Sequence, residues 1–491
     1  MTIATTSLDL RAIARQAMID RGLVPDFPPE VMQRLQQIAG PARETEPSIR
    51  DQRQLVWCSI DNDSSKDLDQ LTVAERLPDG RVKVLVAIAD VDAVVKQATP
   101  IDSHAAFNTT SVYTTAEIFP MLPERLSTDL TSLGEANERL AVVVEMIVSA
   151  DGTVQESTVY RALVKNQAKL TYNEVTAWLD GKTPPPAKVA KTTGLVEQLQ
   201  MQDQIAQVMR RLRYQHGALD LDVRQAEVVY SDGHVVGLRD ETQNRAQRMI
   251  EDFMIAANGA SSQFLEAHGC PTLLRIVRSP ERWDRIREIA KGFNEQLPDL
   301  PNSEALAAFL DRRRQADPAR FPDLSLTIVK LIGRGEYVMQ LPGTSHPGHF
   351  GLAVREYSHS TAPNRRFPDL VTQRLLKAAL AAKAVTYSPD ELSALATHCT
   401  TQEDAARKVE RQVRKSAAAQ FLSGRIGGVF DSIVTGASNK GTWVRLLNPP
   451  VEGRLIGSPT KVEVGDKVKV RLSRVDIARG FIDFVRSDNG Y

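Results

Sequence analysis

Between Asp61 and Gln70 the chain reads Asp-Asn-Asp-Ser-Ser-Lys-Asp-Leu-Asp-Gln, with aspartates at 61, 63, 67 and 69. Carboxylates crowded this closely repel one another, and each resists ionisation while the others carry charge. Such clusters persist where cations neutralise them, and carboxylate oxygens are the ligands that magnesium prefers. Two ions about 4 Å apart would grip a phosphodiester and activate water for in-line attack. The string follows one apolar run, LVWCSI, and leads into a second, so two strand ends are expected to converge Asp61, Asp67 and Asp69 on one point. A solvated acidic turn is the ordinary alternative. A calcium loop of EF-hand type is the sharper rival, since Asp61, Asp63 and Ser65 stand at its positions 1, 3 and 5. However, Lys66 stands where that loop requires glycine and Thr72 where it requires a bidentate glutamate. The string Gly181-Lys182-Thr183 fails as a phosphate loop, because Thr176 replaces its first glycine and prolines follow instead of a helix.

A second chemical signal is REYSHSTAPNRRFPDL at 355–370. Pro363 and Asn364 set a turn that presents Arg365 and Arg366 just before a helix. A guanidinium fork binds phosphate oxygens bidentately and offsets charge that builds during hydrolysis. An exposed arginine pair at a helix start is the plainer reading. His359 has no second histidine at ligand spacing, so it is expected to be a hydrogen-bonding residue and not part of a zinc site.

The elements that position these residues can be read from periodicity. Residues 7–22 and a segment after Pro28-Pro29 (Val31, Leu35 and Ile38 on one stripe) form two amphipathic helices, either a helix-turn-helix that touches nucleic acid or a packing appendage. LVWCSI, TVAER and RVKVLVAIA are strands, the last two joined by the hairpin turn Pro78-Asp79-Gly80. Pro184 to Pro186 make 181–194 a loop, and helices are expected at 195–216, 241–268, 280–293, 303–315, 368–383 and 402–422. From 424 onward, short strands with glycine turns predict a five-stranded antiparallel barrel of OB type.

At 491 residues the chain calls for several domains, and 42% hydrophobic content supplies cores for them. Lysine plus arginine and aspartate plus glutamate both number 61, which excludes a wholly basic nucleic-acid coat protein but leaves room for a local basic groove. Cys58, Cys270 and Cys399 have no CxxC spacing, so neither a zinc site nor a disulfide framework is indicated, and a reducing cytoplasm fits best. No signal-peptide core and no membrane-length apolar run is present.

CSIDNDSSKDLDQ (58–70), VAIADVDAVV (86–95), SVYTTAEIFPMLPERLSTDLTSLGE (111–135), RMIEDFMIAAN (248–258), YSHSTAPNRRFPDL (357–370) and VERQVRKSAAAQFLSGRIGGVF (409–430) together resemble the ribonuclease II (RNB) family. The resemblance covers some nine-tenths of the chain. It implies an α+β, multidomain architecture: a small helical module at 1–50, a mixed α/β catalytic RNB domain at 51–423 and an S1-type OB-fold barrel at 424–491. It implies a cytoplasmic 3′-to-5′ exoribonuclease that hydrolyses single-stranded RNA to nucleoside 5′-monophosphates, with Mg²⁺ as cofactor and Mn²⁺ as a substitute. By position, Asp61, Asp67 and Asp69 resemble the first three members of the family's metal-binding aspartate quartet, and Arg365 the arginine on the scissile phosphate. Arg366 is taken with it as an RNA-binding residue. Tyr113 is similar to the aromatic that stacks on the terminal base, Tyr172 and Glu251 to residues around the ribose, and Glu410 to a further acid near the site. The fourth quartet position is Gln70, whose amide oxygen can still bind Mg²⁺ but brings no charge. Asp92 shares a strand face with Asp90 in this reading and is the expected substitute acid. A catalytically impaired RNA-binding protein of the same fold is the alternative that Gln70 keeps open. The family commonly carries cold-shock-type barrels ahead of the catalytic domain. Residues 1–50 cannot house two of them, so a more open RNA path, or helices in their place, is expected there. In the C-terminal barrel, Arg425, Lys440, Arg445, Arg454, Lys467, Lys469 and Arg471 are the candidate phosphate contacts.

Overall fold

The structure, a computed structural model, describes residues 9–222, 225–231, 234–241, 243–438, 441–457, 462 and 466–487. Its centre is a sheet built from the β-branched runs near the acidic string. Trp57–Asp61, Gln70–Arg76 and Val82–Ala89 are adjacent antiparallel strands, with Leu77 and Arg81 closing the expected turn around Gly80. Glu138–Val148 adds to the far side. The 18-residue strand Val154–Thr171 has three partners, the short strand Arg50–Asp51 among them. Its first part runs antiparallel to Glu138–Val148 and its last part parallel to Trp57–Asp61, so the sheet curls back on itself. Trp57, Ile60, Leu71, Leu85 and Ile88 fill the interior and are wholly buried. Each contributes roughly 1.5–3 kcal/mol by leaving water.

Helices cover this sheet. Tyr172–Leu179 and Arg245–Ala267 both start at capping boxes, at Thr171/Glu174 and Asn244/Gln247, which satisfy backbone N–H groups that no helical turn can reach. The longest helix, Pro389–Leu422, begins three turns earlier than its periodicity suggests, because Ser388 and Glu391 form another capping box. The segment expected as a loop contains one short helix, Ala187–Lys191, with Pro186 at its N-cap. Prolines stop a helix interior but suit the turn before it. The helix expected from 241 starts at Arg245, after a hairpin of Gln225–Ser231 and His234–Glu241. Phe321–Ile332 is a helix that the sequence reading did not anticipate. With Trp283–Gly292 and Ser303–Ala316 it encloses a separate core around Ile286, Phe309 and Ile328.

The two N-terminal helices, Leu10–Ile19 and Pro29–Gln36, spend their apolar faces on the body of the protein. Ala14, Ala17 and Met18 pack against Val112, Phe119, Val409 and Val413, while Val31 and Leu35 join the core under the central sheet. At the other end, Val429–Ser438, Gly441–Leu446, Glu452–Leu455, Phe481–Arg486 and Lys467–Asp476 close into the expected five-stranded barrel, which is not wholly antiparallel as expected, because Glu452–Leu455 and Phe481–Arg486 pair in parallel. Ala418, Ala419 and Leu422 of the long helix enter the barrel core beside Val470 and Phe484. Gly480 fixes this docking: its φ is +67°, and a Cβ there would stand 2.7 Å from Lys415 of the long helix. Among the described residues, no helix is long and apolar enough to cross a membrane.

Candidate active site

The strand Trp57–Asp61 delivers Asp61 at its end, where it lies beside Thr171, the N-cap of the helix that begins with Tyr172. The acidic string then loops to Gln70, the first residue of the neighbouring strand. This loop is pinned from the side. Ser132 Oγ donates to the Lys66 carbonyl at 2.8 Å and accepts from Leu68 N at 3.1 Å, and Leu133 N donates to the Leu68 carbonyl at 2.9 Å. Asp63 turns outward and accepts from Asn173.

The arginine segment meets the same place. Asp369, wholly buried in the first turn of helix Phe367–Leu380, accepts from Ala362 N and from the Arg366 guanidinium, both at 2.8 Å, which locks the turn. Arg366 is thereby committed to the protein, and Asp369 leads the charges that hold its proton against the opposing effect of burial. Arg365 faces the other way, with its side chain 44% exposed and its Nε 3.5 Å from an Asp69 oxygen. Asn364 N donates to the other Asp69 oxygen at 3.3 Å. Burial pushes Asp69 up to about 7, against the pull of Arg365, and Asp67 is also held above the ordinary carboxylate range by burial, with the Asp61 charge adding to it.

The convergence expected of the three acids is only partial. They are near enough to feel one another's charge, yet among the described residues no three His, Cys, Asp or Glu side chains form a group able to hold one ion. Asp61 instead accepts from Asn62 N at 2.7 Å and Ser65 Oγ at 2.8 Å within its own loop. The donor set still fits a hard divalent cation. It is all oxygen, and its two inner acids are raised, as carboxylates are when burial leaves their charge poorly compensated. The substitute role expected for Asp92 is overturned. Residues 91–93 are a 3₁₀ turn, not a strand, and Asp92 is tied to Arg374 Nε at 3.0 Å and Lys377 Nζ at 2.8 Å. Its neighbour Asp90 pairs with Arg161 and the same Lys377.

Beside the acids lies a cleft of about 560 Å³. Gln70, Tyr172, Glu251, Arg365 and Arg366 all line it, which joins residues up to about 300 positions apart in sequence. Glu251 is exposed and oriented by Gln243, whose Nε2 donates to it at 2.6 Å. Tyr113 stands on the hairpin Val112–Tyr113/Ile118–Phe119, 42% exposed, directly across from Ile118. Its backbone N–H donates to Glu410 Oε1 at 3.1 Å, so Glu410 of the long helix holds the hairpin in place. Among the barrel cations, Lys440 lies outside the described residues.

Sequence reasoning passed over the residues that brace the arginine segment. Asn258 accepts from Ser360 N at 2.8 Å and Ser360 Oγ at 2.9 Å and reaches the Tyr357 hydroxyl at 3.3 Å. His359, by contrast, was expected as a hydrogen-bonding residue and is one: it is paired with the Tyr337 hydroxyl at 2.8 Å, and burial drives its protonation far down. A buried asparagine among the apolar residues of MIAANG was the available signal, because a polar side chain in such a position must find partners.

Residues 49–382 match the family model described as RNB domain, and residues 428–487 match the RNase II-type exonuclease C-terminal S1 domain. Ribonuclease R of Aquifex aeolicus is 32% identical over 468 residues, covering 89% of this chain and 64% of the relative. Ribonuclease R 1 of Lactococcus lactis is 28% identical over 501 residues, covering 96% of this chain and 60% of the relative. This chain therefore spans under two thirds of the length of both. Mycoplasma genitalium RNase R, solved in complex with ribose methylated single-stranded RNA, superposes with a TM-score of 0.86 at 22% identity, over 98% of this chain and 78% of that one.

Proposed function

Since the chain belongs to the RNB domain family, we propose that it is a magnesium-dependent exoribonuclease that removes nucleotides one at a time from the 3′ end of single-stranded RNA and releases nucleoside 5′-monophosphates. The observation that carries this reading is the single cleft that gathers Tyr172, Glu251 and Arg365 next to the raised carboxylates Asp67 and Asp69. The likeness to ribonuclease R of Aquifex aeolicus and of Lactococcus lactis supports it.

The terminal base stacks on Tyr113, a contact that tolerates every base because each has a π-face. Tyr172 and Glu251 flank the ribose, where a 2′-hydroxyl offers both a donor and an acceptor that DNA lacks. Arg365 places its unshared guanidinium N–H groups on the scissile phosphate. Asp61, Asp67 and Asp69 are the residues that would hold Mg²⁺, with Mn²⁺ as a substitute. Bound there, the metal would supply an activated water and neutralise phosphate charge. The described barrel cations, among them Arg454, Lys467 and Lys469, add a salt-sensitive grip on the incoming strand.

The test is hydrolysis of a 5′-labelled single-stranded RNA with Mg²⁺ or with a chelator. A ladder that shortens from the 3′ end, nucleoside 5′-monophosphate as the released product, and silence in chelator or after Asp69→Asn are expected. A second reading, a catalytically impaired RNA-binding protein of the same fold, draws on the absence among the described residues of three acids grouped to hold an ion. Tight RNA binding with no Mg²⁺-dependent product would establish it.

A further inference from the structure

Gln70 follows Asp69 directly, but the two side chains have different surroundings. Asp69 is buried against Asn364 and Arg365, whereas Gln70 lines the cleft with Tyr172, Glu251 and Arg365. Neighbouring residues at a strand start face opposite ways, so a one-residue step separates the acid side from the cleft side.

The other amides of the cleft are occupied. Gln247 Oε1 accepts from Asn244 N at 2.7 Å, Gln243 Nε2 donates to Glu251, and Asn258 is used by Ser360 and Tyr357. Among the described residues the Gln70 side chain has no hydrogen-bond partner within the protein, although its backbone pairs with Ile88, and it is only partly buried. Like the guanidinium N–H groups that Arg365 leaves unshared, its Nε2 and Oε1 are left to whatever fills the cleft. Chemistry decides which partner suits it. A carboxylate here could only accept, and it would face an RNA phosphate as like charge unless a cation lay between them. An amide brings two N–H donors to the same spot and needs no cation to meet a phosphate.

We infer that Gln70 is a substrate-contacting residue: it donates through Nε2 to a backbone phosphate oxygen next to the one taken by Arg365, and it is not a metal ligand. The inference rests on the exoribonuclease reading above and assigns Gln70 a role within that site.

The experiment measures binding of a fluorescent single-stranded oligoribonucleotide in EDTA by anisotropy, and in parallel the Mg²⁺ concentration that gives half-maximal hydrolysis. Wild type, Gln70→Ala and Gln70→Glu are compared, with matched circular dichroism and unfolding curves. Losing a hydrogen bond to a charged group should weaken metal-free binding by Gln70→Ala about tenfold. Gln70→Glu should weaken it further, because a like charge is added. The Mg²⁺ half-saturation of Gln70→Ala should stay at the wild-type value. Wild-type affinity of Gln70→Ala in EDTA, or a shift of its Mg²⁺ half-saturation with binding unchanged, overturns the inference and returns Gln70 to the metal. RNA hydrolysis by wild type without measurable binding in EDTA also overturns it, while leaving the exoribonuclease reading intact. Neither binding nor hydrolysis by wild type removes that reading itself.

Discussion

Asp69 gives this site a measurable internal tension. Its carboxyl is 3% exposed and titrates near 7 in place of its ordinary 3.8, because burial opposes its charge more than Arg365 supports it. In the unfolded chain the same acid ionises at its ordinary value. The folded protein thus binds the proton more tightly by about three decades, worth about 4 kcal/mol at about 1.4 kcal/mol per decade. The sign follows from linkage: stability is lost as pH rises through the ordinary value, and the loss is complete above about pH 7. Asp69→Asn keeps the shape and the acceptor for Asn364 N but can carry no charge. In chelator at about pH 8 it should raise the unfolding free energy by roughly 2–4 kcal/mol, the range allowing for solvent around the half-exposed Arg365. At about pH 3 the two proteins should unfold alike, since Asp69 is then largely protonated in both states. The assay is urea unfolding of both proteins across that pH range, each followed without metal. A variant less stable than wild type at about pH 8, or a difference independent of pH, would refute the reasoning.

Other perturbations separate the roles assigned above. Tyr113→Ala should raise KM for single-stranded RNA by roughly tenfold or more, the worth of one stacked base, while kcat changes little. Arg365→Lys keeps the charge but loses the fork, and kcat should fall by about a hundredfold in single-turnover measurements. Glu251→Gln should narrow the preference for RNA over an otherwise identical oligodeoxynucleotide, read as the ratio of the two kcat/KM values. Asp92→Asn should leave Mg²⁺ dependence untouched yet cost roughly 1–3 kcal/mol in unfolding, because Arg374 and Lys377 each lose one carboxylate partner and keep another, Asp102 and Asp90.

Much of the candidate site was readable in sequence because its parts are local. The acidic string, the arginine turn and the strands beside them are short segments whose residue types dictate their geometry. The five strands of the C-terminal barrel were legible for the same reason. What escaped was set by distant partners. Nothing near Asp92 in sequence announces Arg374 and Lys377, so its apparent freedom as a spare metal ligand vanished once helix Phe367–Leu380 packed beside it. The acids were expected to meet at one point, but Asp61 found closer donors at Asn62 and Ser65. The first turns of the long helix were overlooked because its apolar period is weak there, although Ser388 and Glu391 spelled out its start. Likewise the role of Glu410 depends on a hairpin some 300 residues earlier in the chain.

The long helix Pro389–Leu422 carries Glu410 under the Tyr113 hairpin and, further along, plants Leu422 in the barrel. One rigid rod thus spans the proposed clamp on the last base and the proposed entry surface for the strand, and in that reading its length acts as a ruler. From Glu410 to Leu422 it rises about 18 Å at 1.5 Å per residue. A stacked strand advancing about 3.4 Å per nucleotide covers that distance in about five nucleotides. Fragments shorter than this can touch one station but not both, so digestion should slow and shed its remnant near that length. A helix lengthened by one full turn would move the stopping point outward by one or two nucleotides.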